Sequence, residues 1–250
     1  MLPDRYFGIW RRDWIERHHA DTGVVLRDDS PAIWFQSPCL HVDLRIDRAL
    51  REQTSTNIAL PRTQIAFAGR TEVRVQGAAE LCQWHPAFAY PRIVDEIDCG
   101  YMEFLTPTHL IERGIDGSYV ESWRRINGDD EALRCLCFRS TSDSTVQCYL
   151  MLGANYFALG SNHHDAECPG LPIFAWGERA NSVSAWRVKE SLAPWWVNQE
   201  IEIDPHLADI SALLAGVGTW RLPFFPATKW RLASIDSNLL ECNSDGLDDD

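Results

Sequence analysis

Apolar and polar residues alternate along most of this chain with a period of two. That is the spacing of a half-buried strand rather than of a helix. The run Leu40, Val42, Leu44, Ile46 is the cleanest case: these four share one face, and Cys39, His41, Asp43 and Arg45 share the other. The same reading predicts a first strand over 6–17, with Trp10 and Trp14 on one face. A long strand follows over 32–46, bulged at Pro38. Segments 71–75 and 79–85 read as a hairpin around Gln76-Gly77-Ala78, and 100–105 as a short strand. Segment 118–126 ends at Asn127-Gly128, a favoured tight-turn dipeptide. Further strands are expected over 133–139, 145–153, 155–159, 182–189, 196–203, 220–225 and 229–235. Segment 108–114 reads as a connector and 160–170 as a polar loop. Helix is confined to a short piece near 60–68 and to 207–215, where Asp204 is the cap and Gly216 the stop.

Many strands, short turns and little helix define a mainly β protein. Hairpin-scale connections favour an antiparallel up-and-down barrel, and the one-sided alternation suits antiparallel sheets. The strands after Gly128 are numerous enough for a second half-barrel or sheet extension. The expected division is a first β-barrel or half-barrel over 1–127, a second half-barrel packed on it over 128–238, and an acidic, disordered tail over 239–250. A single continuous domain is the alternative.

Charge narrows the partners. The chain of 250 residues carries 23 basic and 36 acidic side chains, a net charge of -13, and no basic stripe. Duplex DNA and RNA are therefore poor partners. No apolar run reaches about 18 residues, so no membrane-spanning helix is expected. The start of the sequence has no apolar signal core, which makes the cytoplasm the expected compartment. Without a secretory context the eight cysteines read as small buried hydrophobes. Cys135 and Cys137 share a strand face and His163, His164 and Cys168 follow, but paired C-x-x-C knuckles are missing, so no metal is expected. The sequence has no nucleophile elbow, no phosphate-cradling Gly-rich loop and no H-E-x-x-H, which removes the commonest motif-bearing enzyme classes and leaves motif-poor ones open; no organic cofactor is expected.

Gly8-Ile9-Trp10, at the start of the first strand, resembles the Gly-x-Trp signature of lipocalins and the wider calycin group. In that group the Trp closes the base of the barrel and a late Arg lies over it. Gly218-Thr219-Trp220, followed by Arg221, repeats the signature. Trp34-Phe35-Gln36, Asp43-Leu44-Arg45, Trp84-His85 and Tyr119-Val120-Glu121-Ser122-Trp123 are similar to stretches of an uncharacterised lipocalin-like family. The resemblance implies a lipocalin-like barrel with a ligand cavity and no particular reaction.

Several residues carry candidate chemistry. Tyr119, Glu121, Trp123 and Arg125 share one strand face, a ligand wall if it points inward and an ordinary amphipathic strand if it does not. His85, ahead of Pro86, stands at a barrel mouth as acid, base or ligand, or only bonds a loop carbonyl. Glu103 is its expected partner, so that His85, Glu103, Tyr119 and Glu121 converge as acid–base groups. Asp43 and Arg45 form either a surface pair worth about 0–1 kcal/mol or, if that face lines the cavity, a site where Arg45 anchors an anion. Trp34, Arg45, Trp84, Tyr119, Trp123 and Arg125 are the expected ligand wall. The leading function is binding of a small, partly apolar molecule in a tryptophan-lined cavity. The alternatives are a cofactor-independent isomerase, cyclase or lyase working in the same cavity, and a structural or protein-interaction β protein. Neither the ligand nor the oligomeric state follows from the sequence.

Overall fold

The computed structural model of the protein describes residues 2–18, 23, 25–46, 65–91, 98–128, 133–165, 168, 170–182, 184–208, 213, 219–225 and 227–237. It is mainly β, with two antiparallel sheets. The first holds β1 (Gly8–His18), β2 (Val25–Asp28), β3 (Ala32–Gln36), β4 (Leu40–Arg45), β5 (Ile65–Gln76), β6 (Ala79–Tyr90), β7 (Asp98–Thr106), β8 (His109–Gly114) and β9 (Tyr119–Arg125). From β3 to β9 each strand pairs with the next, and β1 pairs with both β3 and β9. This closes an eight-stranded barrel, with β2 lying along the far half of β1. A 3-10 turn at Asp4–Tyr6 precedes the barrel.

The second sheet holds β10 (Arg134–Ser140), β11 (Gln147–Leu152), β12 (Tyr156–His164), β13 (Pro172–Arg179), β14 (Ala185–Ser191), β15 (Glu200–Glu202), β16 (Thr219–Trp220) and β17 (Trp230–Ser237). β10 to β15 form a meander, β17 returns beside β10, and β16 is the far edge. The sheet curls into a half-barrel. One of its faces buries Phe138, Leu150, Phe157, Leu159, Val188, Trp186 and Trp230 in their own core. The other packs on the barrel.

That inter-sheet layer explains the alternation at 40–46. Leu40, Val42, Leu44 and Ile46 point outward from the barrel into a core shared with Cys135, Met151, Ala158, Phe174 and Trp176. His41 and Asp43 face the interior, both nearly inaccessible. The approach is close enough to need a glycine: a Cβ on Gly160 of β12 would stand 2.8 Å from the Phe174 ring and 3.2 Å from Ala68 Cβ. Asp236 of β17 ties the sheets together. Its Oδ2 accepts hydrogen bonds from Ser37 Oγ at 2.6 Å, Cys39 N at 2.8 Å and Leu40 N at 2.9 Å.

Several elements differ from the sequence reading. Pro38 does not bulge one strand; it sits in the turn between β3 and β4, which pair antiparallel with Gln36 opposite His41. Trp10 and Trp14 do not share a face, because the register of β1 shifts between Arg12 and Trp14. Trp10 and Arg12 therefore point inward, and beyond the bulge Ile15 does, while Trp14 stacks under Arg27 with its guanidinium carbon 4.4 Å from the ring centroid. Segment 108–114 is strand β8 rather than a connector, and β12 extends to His164 into the expected loop. Residues 65–68 open β5 instead of ending a helix, and Pro194–Trp196 is a 3-10 turn ahead of the short β15. Most of the predicted helix at 207–215, Gly218 of the repeated signature and the acidic tail lie outside the described residues.

Candidate functional site: a charged cavity in the first barrel

The barrel interior divides into two halves. One is aromatic: Tyr6, Trp10, Trp34, Trp84 and Trp123 pack with Leu2, Met102 and Leu110. Trp10 stacks on Trp34 with ring centroids 6.2 Å apart, and Trp84 and Trp123 meet Trp34 edge-on at 5.6 and 6.2 Å. Edge-on and offset contacts of this kind suit the ring quadrupoles. The Trp10 indole N–H donates to Tyr6 O at 2.8 Å, which fixes the ring against the entering chain. These tryptophans fill their end of the barrel and are not among the residues that line the cavity at its other end.

The other half is charged and open. A cavity of about 990 Å³ is bounded by Arg12, Ile15, Arg45, Asp98, Tyr119 and Glu121 at its floor and wall, and by Arg17, Asp28, Asp29 and Ser30 nearer β2. Arg12 Nη1 donates to Glu121 Oε1 at 2.5 Å, with both side chains at most 3% exposed. Arg12 Nη2 donates to Ser30 O and Oγ at 2.9 and 2.8 Å. Arg45 Nε donates to Asp43 Oδ1 at 3.0 Å, and its Nη2 lies 3.6 Å from Asp98 Oδ2. Glu112 stands directly opposite Glu121 across the β8–β9 pair. It accepts from Tyr119 Oη at 2.8 Å and from Trp123 Nε1 at 3.1 Å, where the aromatic and charged halves meet. Gly100 makes room for it: a Cβ there would lie 2.7 Å from Glu112 Cγ.

Burial dominates the protonation of this cluster. It pushes Glu112 up to about 8, and the neighbouring Glu121 carboxylate adds to the effect. Burial raises Asp43 to about 6 even though Arg45 opposes it. For Arg45 burial works against the charge, yet Asp43 and the other carboxylates outweigh it and the guanidinium is held more firmly protonated. Burial lowers His41 to about 3, helped by Arg45 and His85. His41 is therefore neutral, with Nδ1 3.0 Å from Thr71 Oγ1. The Tyr119 hydroxyl is raised, first by burial and then by Glu112. Among the described residues, the buried atoms Arg12 Nε, His41 Nε2, Trp84 Nε1 and Glu121 Oε2 find no hydrogen-bond partner.

The expected site residues separate. Tyr119, Glu121 and Arg45 line the cavity. Trp34, Trp84 and Trp123 belong to the aromatic half, and Arg125 sits opposite Trp10 near the chain entry, its Nη1 3.5 Å from Phe7 O. The four-residue convergence does not form. His85 has the opposite parity to inward Trp84, is 45% exposed and lies 3.5 Å from Glu72 on the outer wall. Glu103 is also outside, paired with Arg113 at 3.3 Å, beside a second cavity of about 800 Å³ at the aromatic end. The Asp43–Arg45 pair is interior rather than on the surface, and Arg45 is already engaged by two carboxylates. Sequence reasoning missed Arg12, Asp98 and Glu112. Among the described residues, no three His, Cys, Asp or Glu side chains converge on a metal position. No helix among them is long and apolar enough to cross a membrane.

No family model and no curated protein matches the chain. Among solved structures, its fold is similar to that of YLR301w, an uncharacterised protein from Saccharomyces cerevisiae. That likeness has a TM-score of 0.58 at 10% identity and covers 91% of this chain and 98% of the other.

Proposed function

We propose that the protein binds a small molecule in the charged half of its first barrel. The observation that carries this reading is the cavity lining, where Glu121 and Arg12 each keep a buried polar atom, Oε2 and Nε, with no partner among the described residues. A buried polar atom left unpaired costs roughly 1–3 kcal/mol. A ligand that supplies the missing donor and acceptor relieves that cost, whereas a merely structural barrel gains nothing from it. The volume lies in the range of about 300–1,000 Å³ common for ligand sites. The tryptophans support the barrel rather than the ligand, so the molecule recognised is polar, with Ile15 and Ile65 as its apolar contacts. The placement of Arg125 opposite Trp10 supports the calycin-like reading of the closed end.

Native mass spectrometry of protein purified gently from its own host tests this. An extra mass that disappears on denaturation is expected, and Ile65→Trp, which fills the cavity wall, should abolish it. A clean apo mass together with no binding by any class of small molecule refutes the reading.

One observation favours the second reading, acid–base catalysis in the same cavity. Glu112 holds its proton at neutral pH and faces Glu121 directly, and Tyr119 joins Glu112 to the cavity. Carboxyl groups whose environments drive their proton affinities apart can serve as acid and base. Incubation of the bound molecule with the protein in D2O separates the readings. Deuterium at carbon in the recovered molecule indicates catalysis, and unchanged recovery indicates binding alone.

A further inference from the structure

The geometry points to a small organic cation as the molecule this cavity takes: an ammonium or guanidinium compound with its positive group on the Glu121 carboxylate. This deepens the cavity-binding reading and rests on it.

Charge is the first argument. With Glu112 holding its proton, the carboxylates Asp43, Asp98 and Glu121 face two guanidiniums among the described residues, Arg12 and Arg45, inside the charged half. Both guanidiniums are already paired with carboxylates, so neither offers an anion an unopposed positive charge. Toward β2 the cavity adds Asp28 and Asp29 against Arg17, and Arg17 is bonded to Asp28 at 2.6 Å. The whole chain, at -13, repels anions at long range.

Geometry is the second argument. Glu121 is 1% exposed, lines the cavity, and spends only Oε1 on Arg12. Its other oxygen is a buried acceptor without a donor among the described residues. An ammonium is a compact set of donors, and a guanidinium matches a carboxylate edge. Arg12, which also lines the cavity, keeps a buried donor of its own, Nε, without a partner among the described residues.

The consequence is a proton. Glu112 is faced by Arg45 from β4, Cys82 from β6, Asp98 from β7, and Tyr119, Glu121 and Trp123 from β9. It stays protonated at neutral pH because burial disfavours its ionised form, Glu121 adds to that, and the cluster has too little positive charge to offset them. A cation arriving beside Glu121 supplies that charge, lowers the proton affinity of Glu112 and releases its proton.

Three probes of one shape test the inference: glucosamine, glucose and glucuronate, with agmatine as an unrelated cation. Calorimetric titrations of the full chain at pH 7, run in two buffers of different ionisation enthalpy, read both affinity and proton release. Binding of glucosamine or agmatine with proton release, and weaker or no binding of glucose and glucuronate, is expected. Glu121→Gln should weaken cation binding by about tenfold or more. Proton release by the unaltered protein is read without any variant, so the inference stays testable if Glu121→Gln fails to fold. Binding of glucose or glucuronate as tight as that of the cations, or a neutral or anionic molecule on the host-purified protein, overturns the cation and leaves the cavity reading standing, and cation binding without proton release overturns the coupling to Glu112. No binding by any probe, with no retained mass, overturns both.

Discussion

Replacing Glu112 with glutamine removes a charge that the barrel interior resists, and the change in stability depends on pH with a sign the structure fixes. In the unfolded chain this carboxyl ionises near 4.5, and in the fold near 8. Below pH 4.5 both states hold the proton, and the stability linked to the folded-state proton is fully present. As pH rises from 4.5 the unfolded state sheds its proton first, and the contribution erodes until it is gone above about pH 8. At about 1.36 kcal/mol per unit, the ceiling for this loss is about 5 kcal/mol, and the expected loss is roughly 2–5 kcal/mol. The substituted amide stays neutral throughout. Its oxygen can accept from Trp123 Nε1 and its nitrogen can donate to Tyr119 Oη, so the substitution itself should cost no more than about 1 kcal/mol. Urea unfolding of both proteins across pH 4.5–8.5, followed by tryptophan fluorescence, measures the difference. Glu112→Gln should be equal or slightly weaker at pH 4.5 and more stable at pH 8.5. The slope that Asp43 contributes is present in both proteins and cancels. Parallel stability curves, with no growth of the difference with pH, would refute the reasoning.

Other consequences are as direct. The His41 ring should remain neutral down to about pH 4, since burial holds it near 3; carbon NMR of its assigned Cε1 resonance checks this, and a midpoint near 6.5 would contradict it. Asp236→Ala leaves the Leu40 and Cys39 N–H groups and the Ser37 hydroxyl without their acceptor and should cost roughly 2–4 kcal/mol in urea unfolding; a loss under about 0.5 kcal/mol would mean the tie between the sheets is not needed. Gly160→Ala drives a methyl into the Phe174 ring and toward Ala68, and should destabilise by about 1–3 kcal/mol. An unchanged or raised melting temperature would show that the sheets have slack at this point.

The mainly β fold with a closed barrel and a second sheet was legible because alternation is a local property of the chain. Residues 40–46 display it plainly, and β4 covers nearly that span. Which face points inward is not local. It depends on whether something covers the outside, and here β12 and β13 do. Glu112 stayed hidden because β8 reads Leu110-Ile111-Glu112, with all three buried, so no period of two emerges. Arg12 was obscured by the bulge that changes the parity of β1 after it. His85 and Glu103 were drawn into the expected site by residue type alone; parity to Trp84 for the first, and the ion pair with Arg113 for the second, put them outside.

The two halves of the barrel answer to different demands. In the aromatic half, large side chains remove apolar surface from water and interlock, a contribution of roughly 1.5–3 kcal/mol for each fully buried ring. Along β4 that burial happens outside the barrel instead: Val42 and Leu44 are covered by the second sheet, and the inward positions are released from forming the core. His41, Asp43 and Arg45 occupy them. Charges placed there meet the desolvation that raises Asp43 and Glu112, a cost a purely structural interior would avoid by using Leu or Val. The second sheet thus does more than extend the fold. By taking over part of the burial, it lets one end of a closed barrel hold an excess of carboxylates around a cavity, at positions where apolar residues would be more stable.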